Sequence, residues 1–169
     1  ASLDDQIEFI LDVECRGGGS SVFHGMSEPD LQTFLRHPLT MIASDGGPRA
    51  FGEDIPHPRS YGNNARVLGR YVRELQLITL PEAIRRMTSL PAATFCFADR
   101  GVIKPGAWAD LVIFDPDKVG DPATFDEPHH YAVGFDDVFV DGVAVIRDGK
   151  LTGKRPGGPL RMEITKGDK

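Results

Sequence analysis

Apolar residues recur at helical spacing through the first half of the chain, and the period shortens to that of strands after Gly101. Ser2 followed by Asp5 reads as a capping box, and Ile7, Ile10 and Leu11 then form one apolar helical face that Gly17-Gly18-Gly19 stops. Residues 20–24 are a short β-prone run. Ser27 with Asp30 repeats the capping signal, and Leu31, Phe34 and Leu35 make the next helical face, which must end before Pro38. Residues 39–43 are a continuous apolar run that predicts a buried strand, closed by Asp45-Gly46-Gly47.

Residues 46–64 are rich in Gly, Pro and Asn and predict a long loop; loops of that length in a compact domain commonly carry function. Ala65, Leu68, Val72 and Leu75 space a helix. Thr79-Leu80-Pro81-Glu82 starts another, with Leu80, Ala83, Ile84 and Met87 as its buried face and an end near Leu90-Pro91. Residues 109–114 then predict a strand, and 138–140, 143–146 and Leu151 a three-strand meander. Its turns are Asp141-Gly142 and Asp148-Gly149, the strongest short hairpin signal. Taken together, residues 1–99 predict an α/β unit and 100–169 an all-β one.

Composition narrows the function classes. Of 169 residues 40% are hydrophobic, enough for a real core. With 25 acidic against 19 basic residues the formal charge is -6, which argues against nucleic acid or an acidic membrane surface as partner. No apolar run reaches membrane-spanning length and no signal peptide leads the chain. Two cysteines, Cys15 and Cys96, make neither a disulfide framework nor a thiolate metal site; they read as buried small hydrophobes in a reducing cytosol. His37, His129 and His130 show no ligand spacing, and His57 reads as a hydrogen-bonded loop residue.

The candidate chemistry centres on Asp45. A carboxylate at the carboxyl end of a core strand stands where α/β sheets place their reactions, though an Asp before Gly can equally cap a loop. Three further stretches join it: Val22-Phe23-His24-Gly25-Met26-Ser27-Glu28; His57-Pro58-Arg59-Ser60-Tyr61-Gly62; and the run from Arg100 through Gly101-Val102-Ile103-Lys104-Pro105-Gly106-Ala107-Trp108-Ala109-Asp110-Leu111-Val112-Ile113 to Phe114. With Ser44-Asp45-Gly46 they make the chain resemble the carboxyl-terminal part of the N-acyl-D-amino-acid deacylases (D-aminoacylases) of the metal-dependent amidohydrolase superfamily.

That resemblance implies a fold and a site. The fold would be the last βα units of an incomplete (β/α)8 TIM barrel in residues 1–99, with strands near Ser21 and Met41 as the seventh and eighth. Strands of a small β-sandwich domain would follow in 100–169. A whole barrel needs ~250 residues. Asp45 would be the catalytic base, near or contacting a zinc whose other ligands lie outside this chain. It would take a proton from the attacking water and pass it to the leaving amine. Arg59 would bind the substrate carboxylate with its planar fork. Phe23, where the family often carries Tyr, and Met26 would line the apolar pocket for the substrate side chain; plain packing is the alternative for both. The implied substrate is a small N-acyl-D-amino acid. This chain alone is expected to bind no zinc and to be inactive. Two other outcomes stay open: a hydantoinase- or dihydroorotase-like activity on cyclic amides, and a non-catalytic piece that self-associates through an exposed barrel edge into a homo-oligomer.

Overall fold

A computed structural model describes residues 2–19, 25–48, 50–97 and 99–160. Among the described residues, five α-helices and one π-helical stretch precede a small sheet: α1 (Leu3–Cys15), α2 (Glu28–Arg36), α3 (Arg59–Arg66), α4 (Leu80–Met87) and α5 (Ser89–Thr94), then β1 (Leu111–Phe114), β2 (Phe135–Val140), β3 (Val143–Arg147) and β4 (Lys150–Leu151). Among the described residues no helix is long and apolar enough to cross a membrane.

The capping signals act as the sequence predicts. Ser2 and Asp5 exchange the reciprocal bonds of a capping box, and the Ser27 and Thr79 hydroxyls accept from the N–H groups of Asp30 and Glu82. Burial is more selective. The apolar face of α1 is left exposed: Ile7 is 46%, Ile10 60% and Leu11 55% exposed. In α2 only Leu35 is buried.

The core is built on the segment that starts at Arg59. α3 runs without a break into a π-helical stretch, Val67–Glu74, whose i→i+5 bonding ends with the Leu75 amide donating to the Arg70 carbonyl at 2.8 Å. Ala65, Val67, Leu68 and Tyr71 on this segment pack with Leu35, Ile78, Ala83 and Val119. Phe114 and Phe135 of the sheet flank the same cluster, so one core ties the helices to the strands. Val119 is held close by Gly134, whose φ of +83° is left-handed and where a Cβ would come within 2.4 Å of the Val119 nitrogen. Tyr71 donates to the Glu28 carboxylate at 3.2 Å; burial, then that carboxylate, push its phenol up from the ordinary value.

The sheet is antiparallel throughout, ordered β1-β2-β3-β4. Both Asp-Gly turns place two residues in left-handed conformation, with φ of 49° and 75° at Asp141-Gly142 and 50° and 71° at Asp148-Gly149. Those values match the type I′ turn, whose twist suits a hairpin. The meander therefore gains β1 as a fourth strand, with Val138 opposite Val112 and Ile146.

Several expectations change. The run 39–43, predicted to be a buried strand, begins in a turn, forms no strand among the described residues and is exposed or half-buried; its ladder-like contact is the bond from the Ile42 N–H to the Arg86 carbonyl at 3.2 Å. A strand exists only through a neighbour's backbone, and the described residues offer this segment just one such bond. The partner expected near Ser21 lies outside the described residues. The loop predicted over 46–64 ends earlier, because α3 already begins at Arg59. The helix from Leu80 breaks at Thr88 (φ -131°, ψ -85°) and resumes as α5, which contains Pro91 near its start, where a missing N–H costs little. Cys15 and Cys96 are exposed, not buried.

The predicted inner face of α4 holds for Ala83, with Leu80, Ile84 and Met87 partly buried; Arg86 joins it unannounced. Its guanidinium donates to the Leu35 carbonyl and, at 2.7 Å, to Glu82, which also binds Arg85 at 2.8 Å. Bonds from Arg85, then Arg86, bring the Glu82 carboxyl down to about 2. A depressed folded-state value adds stability above the unfolded value near 4.5, and this is lost as pH falls toward 2. Melting temperature followed against pH should fall in that window, and Glu82→Gln should flatten part of the fall while leaving the neutral-pH shape of the profile intact.

Candidate active site

Asp45 and Arg59 are separated by a loop of Gly, Pro and charged residues, yet their side chains meet. Arg59 is the first residue of α3, and the turn before it is set by His57: its carbonyl accepts from the Ser60 N–H at 2.9 Å and its Nδ1 from the Arg59 N–H at 3.1 Å. That aims the guanidinium back at Asp45. Arg59 Nη2 donates to Asp45 Oδ2 at 2.7 Å, and Nε donates to the Asp45 carbonyl at 3.0 Å. The side edge of the guanidinium thus grips one residue twice, through side chain and backbone.

The backbone at this point is shaped for the contact. Asp45 has a φ of +47°, a left-handed conformation that Asp tolerates better than most residues. Gly46 lies against α3: a Cβ there would stand 2.8 Å from the Ser60 Cα. The Ser44 hydroxyl accepts from the Gly46 N–H at 3.2 Å. Ser44, Arg59, Ser60 and Asn63 line a cavity of about 210 Å³. The Asp45 side chain is 85% exposed and that of Arg59 41%, so the pair borders solvent.

The other sequence candidates are placed elsewhere or not at all. Met26, ahead of α2, is 68% exposed and lines neither cavity. Phe23 lies outside the described residues. Among the described residues, no three of His, Cys, Asp and Glu stand close enough to hold a metal ion. Asp45 can therefore contact a metal but not hold one with the residues described. The larger cavity, about 810 Å³, is a different place: it lies between α4 and β1, walled by Ile84, Met87, Trp108 and Val112. Arg100 at its rim is bound to Asp110 and Asp141 and stacked 4.9 Å over Trp108, so its charge is already used.

The profile of the Amidohydrolase family matches residues 12–152. The chain belongs to the amidohydrolase family. It is 43% identical over 145 residues to the N-acyl-D-glutamate deacylase of Alcaligenes xylosoxydans xylosoxydans, covering 86% of this chain and 29% of that protein. Among solved structures it superposes on a D-aminoacylase crystal structure with a TM-score of 0.71 at 48% identity, over 76% of this chain and 27% of the other. It also superposes on the N-acyl-D-glutamate deacylase of Bordetella bronchiseptica complexed with zinc and a phosphonate mimic of the tetrahedral intermediate, with a TM-score of 0.67 and 50% identity over 75% and 27% of the two chains. This amidohydrolase chain thus shares the D-aminoacylase fold over the part it matches and spans less than a third of those relatives' length.

Sequence reading missed two features of the site. One is that Arg59 opens a helix, which Pro58 could have signalled, since Pro favours the first helical turn. The other is the direct bond between the base candidate and the carboxylate-binding candidate. An exposed ion pair adds little stability, so Asp45→Asn should move the melting temperature by no more than about 2 °C. Gly46→Ala, which forces backbone against backbone, should cost about 1–3 kcal/mol in the same unfolding assay.

Proposed function

We propose that this chain is the carboxyl-terminal part of a zinc-dependent hydrolase of non-peptide carbon-nitrogen bonds that deacylates N-acyl-D-amino acids. Residues 1–99 are the last βα units of its TIM barrel and 100–169 part of its β-sandwich domain. The division agrees with the change from helices to an antiparallel sheet between Thr94 and Leu111. The observation that carries the reading is the 2.7 Å meeting of Asp45 and Arg59, in a chain whose relatives are named as deacylases of N-acyl-D-amino acids. No relative named among these matches acts on a cyclic amide, so the deacylase reading stands ahead of the hydantoinase-like one.

Zinc, when bound in the whole enzyme, supplies the Lewis acid that polarises the amide carbonyl and acidifies the attacking water. Asp45 does what a carboxylate at that point can do: it accepts the water's proton and returns it to the leaving amine nitrogen. Arg59 has two usable edges. Its Nε–Nη2 edge holds Asp45, and its Nη1–Nη2 end matches a carboxylate two-pronged. One guanidinium can therefore fix the base and the substrate's free carboxylate in a single geometry. Phe23 would line the side-chain pocket in the whole enzyme, and Met26, exposed in this chain, would do so only once other parts of the enzyme cover it.

The test is zinc-dependent release of free D-amino acid by the whole protein. Asp45→Asn should lower kcat by about 10²–10⁴ with KM little changed. Arg59→Lys, which keeps the charge and loses the fork, should raise KM by about tenfold. Release of product without zinc, or full activity in Asp45→Asn, would overturn the assignment.

A second reading applies to the 169-residue chain on its own. The apolar face of α1 and the edge strand β1, with Val112 52% and Ile113 50% exposed, present surface that favours self-association. Light scattering of the isolated chain should report a species larger than a monomer, and no turnover.

A further inference from the structure

The loop that joins Asp45 to Arg59 is fastened at its middle by one imidazole. Phe51 at the loop's tip lies 4.8 Å from Tyr131, 5.7 Å from His129 and 6.0 Å from Tyr61, ring centre to ring centre. His129 makes three polar contacts there. The Gly52 N–H donates to its Nδ1 at 3.3 Å, the Tyr61 hydroxyl stands 2.9 Å from the same nitrogen, and its Nε2 is 2.9 Å from the Asp54 carbonyl. A backbone amide can only donate, so Nδ1 presents its lone pair and the ring proton sits on Nε2, where it is donated to Asp54. Tyr61 then donates to Nδ1 as well.

These contacts connect two parts of the candidate site. Gly52 and Asp54 belong to the loop; Tyr61 belongs to the first turn of α3, two residues after Arg59. The loop bends at both points where the ring holds it, with φ of +86° at Gly52 and +55° at Asp54. Elsewhere the described loop carries a bond from the Glu53 N–H to the Ala50 carbonyl at 3.2 Å and an edge contact of His57 with Phe125 at 4.9 Å. The ring's mount is firmer: Pro128 beside it is buried, and the Thr124 and Glu127 backbones close the turn before it at 3.1 Å.

We propose that His129, with Tyr61, is a positioning residue for the deacylation proposed above: it staples the loop to α3 and so sets the aim of Arg59 at the substrate carboxylate. The inference rests on that function. Among the described residues His129 bonds to neither Asp45 nor Arg59, so its influence on substrate passes through the loop and the helix turn.

The experiment uses the whole zinc-loaded enzyme with His129→Ala, Tyr61→Phe, Arg59→Ala and the double variant H129A/R59A. His129→Ala should raise KM for an N-acyl-D-amino acid by about tenfold, and should lower kcat/KM far less on an N-acyl amine that lacks the carboxylate. The KM defect should vanish in the R59A background, since both changes remove the same contact. Hydrogen exchange of the 50–58 peptide should quicken in H129A. Tyr61→Phe, which removes one hydroxyl, should show the same pattern more weakly and decides the matter if H129A does not fold. Full additivity with R59A, an equal loss on the carboxylate-free substrate, or unchanged exchange in both variants would overturn the proposal. A wild-type enzyme that releases no D-amino acid, or whose KM ignores Arg59→Ala, would instead overturn the deacylase reading, and the exchange measurement would still decide whether the ring holds the loop.

Discussion

The structure depends on the burial of one side of the helical segment from Arg59 to Glu74. Ala65, Val67, Leu68 and Tyr71 face inward from it, and Val119 closes the cluster from the sheet side. Burial of apolar area is the term that orders this region, at roughly 25 cal/mol per Å² removed from water. Everything at the candidate site is placed by where that segment begins. Arg59 is its first residue, Tyr61 its third, and Gly46 rests against Ser60 between them.

The site itself is polar and near solvent, which separates its function from its stability. The Asp45–Arg59 pair is exposed, and exposed pairs contribute little to folding. The stabilising ion cluster lies elsewhere, around Arg86, where Glu82 and the Leu35 carbonyl satisfy a charge otherwise too costly to bury. The two arginines show how context divides one residue type: Arg86 is sealed in α4 and structural, whereas Arg59 keeps an edge available for a ligand. The aromatic cluster at Phe51, Tyr61, His129 and Tyr131 stands between these extremes. It holds the tip of the loop against α3.

Exposed apolar surface is widespread. It covers α1, the outer residues of β1 and the region of Ile103 and Trp108 near the larger cavity, and it also includes Met26, Leu39, Phe51 and Ile55. So much exposed apolar surface fits a chain that spans less than a third of its relatives' length.

What the sequence by itself determined was local. Ser2, Ser27 and Thr79 start helices because their oxygens satisfy helix donors, and the two Asp-Gly turns form hairpins because they accept left-handed backbone. Asp45 and Arg59 were legible as a pair of candidates from their motifs. Tertiary structure decided what depends on neighbours. Among the described residues the apolar run 39–43 stays unpaired because pairing needs another backbone, and the face of α1 stays exposed because amphipathic spacing names no partner. The union of Asp45 with Arg59, and the grip of His129 on the loop between them, arise only when the burial of Leu68 and its neighbours brings distant segments together.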